Sequence, residues 1–98
     1  MSFAVTVTLS LTPEAADAFW ENVPNVLAET KGRPEVLSVT AYRSPEDPTK
    51  ILFVDVFHDE AARDSYFAWR NSTGGPSGGA SIMAAPPQIA FWGAGVAG

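Results

Sequence analysis

Residues 36–57 read VLSVTAYRSPEDPTKILFVDVF. Val36 to Arg43 and Ile51 to Phe57 are rich in β-branched and aromatic residues, whereas Ser44, Pro45, Glu46, Asp47, Pro48 and Thr49 between them are turn formers that include two prolines. The pattern predicts two strands joined by a stiff, exposed hairpin loop. The second strand carries apolar side chains on both sides, with Ile51, Phe53 and Phe57 on one and Leu52, Val54 and Val56 on the other. Both of its faces need cover, and that requirement governs how the rest of the chain is read.

Upstream, Phe3, Val5, Val7, Leu9 and Leu11 alternate with Ala4, Thr6, Thr8 and Ser10, the period of a strand. Thr12 offers an N-cap oxygen, Pro13 suits a first helical position, and Glu14 and Asp17 complement the positive end of the dipole. Ala16, Phe19, Trp20, Val23, Val26 and Leu27 then form one apolar stripe to about Lys31, where Gly32 and Pro34 close the helix. Pro24 inside it predicts a bend near Trp20.

Downstream, Asp59 can cap a second helix that places Ala62, Ser65, Tyr66 and Trp69 inward and ends near Arg70 and Asn71. The Gly- and Ser-rich stretch Asn71–Ser81 reads as a loop, Ile82–Ala85 as one helical turn, and Gln88–Trp92 as a last short strand. The order is βαββαβ. It predicts a ferredoxin-like α+β fold, a four-stranded antiparallel sheet with both helices on one face, as a single domain over residues 1–92 with a tail at 93–98.

Helices on one face leave the other bare. Exposing Leu52, Val54 and Val56 would forfeit several kcal/mol at about 25 cal/mol per Å², comparable with the stability of a small domain. Pairing of two sheets in a homodimer is the simplest cover; it makes a barrel between subunits and leaves a cavity between each sheet and its own helices. A net charge of -5 argues against nucleic acid as a partner. The absence of Cys and the presence of one His argue against disulfides and zinc. No run approaches a membrane span and the N-terminus has no signal-like block, so a cytoplasmic protein without membrane contact is expected.

The strand that leads into a Pro-capped helix, followed by KGRPEVLSVTAYRSPEDPTKILFVDVFHDEAARDSYFAW over residues 31–69, resembles the antibiotic biosynthesis monooxygenase domain family, and the likeness extends over about residues 3–92. The resemblance implies a dimeric α+β barrel. The family contains quinone-forming monooxygenases that use neither metal nor flavin, haem-degrading enzymes, and members of no known activity. In the quinone-forming members a helix-two tryptophan and an asparagine one turn earlier line the pocket, while an asparagine from the first part of the chain helps to hold the phenolate. Trp69 matches the tryptophan and Asn22 is the counterpart of the second asparagine, whereas Ser65 stands where the first would be. Haem degradation would need a histidine late in helix two and an asparagine on strand one; this chain has His58 before the helix and Thr6 and Thr8 on the strand.

Several side chains could carry chemistry, and each also has a plain structural reading. Trp69 could stack on a flat substrate or simply pack helix two. Tyr66 and Arg70, one turn apart, could orient and neutralise a substrate oxygen, or Arg70 could be a solvated cation at the helix end. Asp55, flanked by Val54 and Val56, could be a base with a pKa raised by burial, or a partner for Lys50, Arg43 or a backbone donor at the sheet. Phe19, Trp20 and Phe67 have the spacing of an aromatic pocket and equally of a core. The expected activity is cofactor-independent oxidation of an aromatic or polyketide-type phenol by O2, with catalysis by Trp69, Asn22 and Asp55 and substrate contacts from Tyr66, Ser65, Arg70, Trp20 and Phe19. The alternative is a non-catalytic dimeric module that binds a small ligand or serves assembly.

Overall fold

The structure, a computed structural model, describes residues 2–72 and 82–96. Its elements are β1 (Phe3–Leu11), α1 (Pro13–Lys31), β2 (Val36–Arg43), β3 (Lys50–Phe57), α2 (Glu60–Ser72) and β4 (Met83–Ala94). The four strands form one antiparallel sheet in the order β2-β3-β1-β4, the ferredoxin-like α+β arrangement read from the sequence. Most of the glycine-rich stretch, residues 73–81, lies outside the described residues.

Local chemistry accounts for the ends of these elements. Thr12 has the extended backbone of an N-cap and Pro13 opens α1, but the Thr12 hydroxyl makes no capping bond. Proline at the first helical position has no N–H to satisfy, which lowers the demand on that cap. The helix runs unbroken through Pro24, so the bend expected near Trp20 does not interrupt it. In the β2–β3 loop, Ser44 Oγ accepts from the Asp47 amide at 3.1 Å and Asp47 Oδ1 from the Thr49 amide at 3.1 Å. Asp59 Oδ1 accepts from the Ala62 amide at 2.8 Å and caps α2 as expected.

The last strand departs from the sequence expectation. β4 covers twelve residues and absorbs Met83–Ala85 of the expected helical turn together with Pro86–Pro87. Prolines are tolerated there because β4 lies at the sheet edge and because the register against β1 shifts between Thr8↔Gln88 and Ser10↔Ala85, which leaves both prolines in a bulge.

The helices cover one face and bury two clusters. Phe19 and Val23 of α1 pack on Leu9, Leu11, Ile51 and Phe53 of the sheet, and Tyr66 of α2 packs with Val5, Val36 and Phe57. On β3, Asp55 falls between Phe53 of the first cluster and Phe57 of the second, at the seam between them. The opposite face carries the cross-strand rows Thr40–Val54–Thr6–Ala90 and Tyr42–Leu52–Thr8–Gln88. Leu52, Val54 and Val56 are half-buried there, and Tyr42 and Trp92 are exposed.

Candidate active site

A cavity of about 250 Å³ opens at the seam between the two core clusters. Its floor is Val7, Leu9, Phe53 and Asp55 of the central strands, and α1 contributes Phe19, Val26 and Thr30. The other side comes from Tyr66, Phe67, Arg70 and Asn71 of α2, with Pro87 and Ile89 of β4 at the rim. The walls are mainly apolar, and the polar groups gather where the end of α1 meets the end of α2.

That polar end is a closed triangle. The Arg70 guanidinium donates from Nε to the Tyr66 hydroxyl at 3.1 Å and from a terminal nitrogen to Thr30 Oγ1 at 2.8 Å, and the two hydroxyls lie 3.2 Å apart. The other terminal nitrogen donates to Glu29 Oε1 at 2.7 Å. Each hydroxyl accepts from Arg70 and one of them donates to the other, so one of the two O–H protons is left for a third acceptor. Since Tyr66 and Thr30 both line the cavity, whichever proton remains is available to a ligand oxygen.

Asp55 is 6% exposed, and neither expected side-chain partner reaches it. Arg43 donates to Asp17 and to the Pro48 carbonyl, and Lys50 is exposed. Its strand neighbours on the covered face are Val5 and Val39, so the carboxyl meets hydrocarbon instead of donors. Burial pushes the Asp55 pKa up from 3.8 to about 6, against the opposing pull of Arg70. A carboxyl held there is a base near neutral pH.

The expected site residues separate into two groups. Phe19, Asp55, Tyr66 and Arg70 line the cavity, whereas Trp69, Asn22, Ser65 and Trp20 do not. The Asn22 side-chain oxygen accepts from Asn25 along α1 at 2.9 Å, and Trp20 packs at the margin of the first cluster with Arg43 6.0 Å from its ring. Ser65 is exposed and donates to Glu35 at 3.1 Å, not directed inward as the sequence implied.

The cause is helical geometry. At about 100° per residue, Phe67, Arg70 and Asn71 fall on one side of Tyr66, while Ser65 and Trp69 fall on the other. The first flank faces the cavity; the second faces the segment between α1 and β2, where Glu35 takes both Arg33 and Ser65. Trp69 accordingly lies under two guanidinium groups, with Arg33 at 4.5 Å and Arg70 at 4.7 Å from its ring. Thr30 was missed, although a hydroxyl continuing the stripe Phe19, Val23, Val26 was a readable signal of a polar group directed inward. Among the described residues no three His, Asp or Glu side chains converge to hold a metal, and no helix is long and apolar enough to cross a membrane.

Comparison with known proteins agrees with this architecture. A crystal structure of an antibiotic biosynthesis monooxygenase superposes with a TM-score of 0.81 at 19% identity, covering 96% of this chain and 99% of that one. A variant of SnoaB, a cofactor-independent oxygenase from Streptomyces nogalater, superposes at 0.77 and 12% identity, covering 95% and 92%. Rv0793 from Mycobacterium tuberculosis does so at 0.73 and 14% identity, covering 99% and 98%. At these identities the likeness concerns the fold. No curated protein sequence matches the chain. The family model for antibiotic biosynthesis monooxygenase matches residues 2–74, and the chain belongs to that family.

Proposed function

We propose that the cavity binds a small aromatic or polyketide-type molecule with a phenolic or enolisable oxygen, and that the protein oxidises it with O2 without metal or organic cofactor. The carrying observation is Asp55, a carboxyl buried on an apolar cavity floor with the Arg70–Tyr66–Thr30 triangle on the same cavity. Family membership supports the reaction class.

In this reading Asp55 removes a proton from the substrate, and the resulting negative charge sits on an oxygen held by Arg70 and the spare hydroxyl. A base at about 6 facing an acid near 10 leaves the transfer uphill by roughly 5 kcal/mol. Charge-assisted hydrogen bonds of about 1.5–3 kcal/mol each offset most of that. Carbanion density on the ring carbon then adds to O2 to form a C–O bond and a peroxide anion, which takes back the proton that Asp55 carries. Removal of the remaining C–H proton by Asp55 with cleavage of the O–O bond yields the carbonyl and hydroxide, which takes that second proton, so a methylene and O2 become a quinone carbonyl and water. Asp55 serves both proton removals in turn.

We also propose that the open sheet face, with half-buried Leu52, Val54 and Val56, is covered by a second copy. Incubation with dithranol-type anthrones under air tests the activity through quinone absorbance and oxygen uptake. The expected result is one quinone per O2, lost in Asp55→Asn. Absence of turnover across anthrones and naphthols that still raise the melting temperature would overturn the oxygenase reading in favour of a binding module.

A further inference from the structure

Trp69 stands outside the cavity, yet it touches Arg70, the one cation among the described residues that lines it. We infer that Trp69 is a positioning residue: with Arg33 also on its ring, it holds the Arg70 guanidinium in the cavity and so sets the proton affinity of Asp55. The inference deepens the proposed function and rests on Asp55 acting as its base.

Three observations carry it. Arg70 is bound at all three nitrogens, to Tyr66, Thr30 and Glu29, and its guanidinium also lies 4.7 Å from the Trp69 ring. Of these partners Glu29 is largely exposed and would draw the side chain outward, whereas the Trp69 ring and the buried hydroxyls keep it in. The indole is itself fixed, because Arg33 lies 4.5 Å from it and is held by both oxygens of Glu35. Among aromatic side chains an indole offers the strongest face to a guanidinium, so the stack orients Arg70 without spending any of its N–H donors.

The charges around Asp55 are few, which makes the coupling readable. From α2 come Arg70 and the Tyr66 phenol, and from α1 comes Glu29 through Arg70. The flanking strands present Val5 and Val39, and the β4 rim presents Pro87 and Ile89, none of them charged. Arg33 and Glu35 meet on the Trp69 flank of α2. Arg70 is therefore the cation whose displacement Asp55 would report.

The test is a carbon-13 NMR titration of the Asp55 carboxyl in the wild type, Trp69→Leu, Trp69→Phe and Arg70→Met, which needs no substrate. Arg70→Met should raise the midpoint above that of the wild type, which is expected at about 6. Trp69→Leu should move part of the way towards Arg70→Met, because the bonds to Tyr66 and Thr30 remain, and Trp69→Phe, which keeps a weaker π face, should fall between wild type and Trp69→Leu. A merely structural tryptophan would change stability but not this midpoint. An unmoved midpoint in Trp69→Leu, or in Trp69→Phe should the leucine variant not fold, overturns the inference, as does an unmoved midpoint in Arg70→Met. A wild-type midpoint in the ordinary carboxylate range would instead remove Asp55 as the proposed base, a separate failure.

Discussion

Replacing Asp55 by Asn should stabilise the protein at neutral pH while abolishing its proposed chemistry. The folded carboxyl titrates at about 6 against 3.8 when solvated, so the folded state binds the proton more tightly than the unfolded one. The associated stability is fully present below about pH 4 and is lost as pH rises through 6. The rise corresponds to about 3 kcal/mol at pH 7 and above, and burial to 6% exposure leaves little solvent screening to discount it. Asn cannot ionise, so its variant escapes that loss.

Other carboxylates act in the opposite sense. Hydrogen bonding to its own backbone, with help from Arg33 and Ser65, lowers the Glu35 pKa, and bonds from Thr49 lower that of Asp47. Both groups are common to the two proteins, so the difference between wild type and variant isolates Asp55. Urea unfolding at pH 4, 5, 6, 7 and 8, at one protein concentration because self-association would shift the midpoint, should show a difference that grows in favour of Asn by up to about 3 kcal/mol between pH 4 and 7. A difference that stays flat across that range would refute the account of Asp55, whatever its absolute value. Greater stability joined to lost turnover would mark a residue kept for chemistry.

Three further outcomes are expected. Tyr66→Phe removes a buried hydroxyl that accepts from Arg70, and should cost about 1–2 kcal/mol in urea unfolding and lower quinone formation; undiminished turnover would exclude the hydroxyl from substrate binding. Val26→Phe adds a ring to a cavity of about 250 Å³, and should abolish ligand-induced melting shifts while the circular dichroism of the fold is retained; an unchanged shift would place the ligand elsewhere. Light scattering at micromolar concentration should give twice the chain mass for wild type and a single chain mass for Val54→Arg, whose charge would sit on the open sheet face; a monomeric wild type would remove the second copy.

Much of this architecture was legible because it rests on periodicity. The alternation of Phe3 to Leu11 and the stripe from Ala16 to Leu27 gave β1 and α1 their bounds, and Asp55 was visible as a carboxylate inside an otherwise apolar strand. β4 was misread because Pro86 and Pro87 break a strand in isolation, and only pairing with β1 reveals an edge with a bulge that accommodates them. The flank of α2 that meets the cavity was not legible either. Spacing makes Ser65, Tyr66 and Trp69 neighbours, but the position of Arg33 and Glu35 decides that Ser65 and Trp69 turn away from the cavity while Arg70 faces it.

The paired prolines of β4 also bear on how copies can associate. A free sheet margin is a template on which further strands can be laid without limit, the route to fibres and precipitates. Neither Pro86 nor Pro87 has an amide donor to offer, and the register against β1 shifts at the same place, so the regular spacing of the strand is broken there. Prolines and a bulge there disfavour the laying of a further strand along β4, on that side of the sheet.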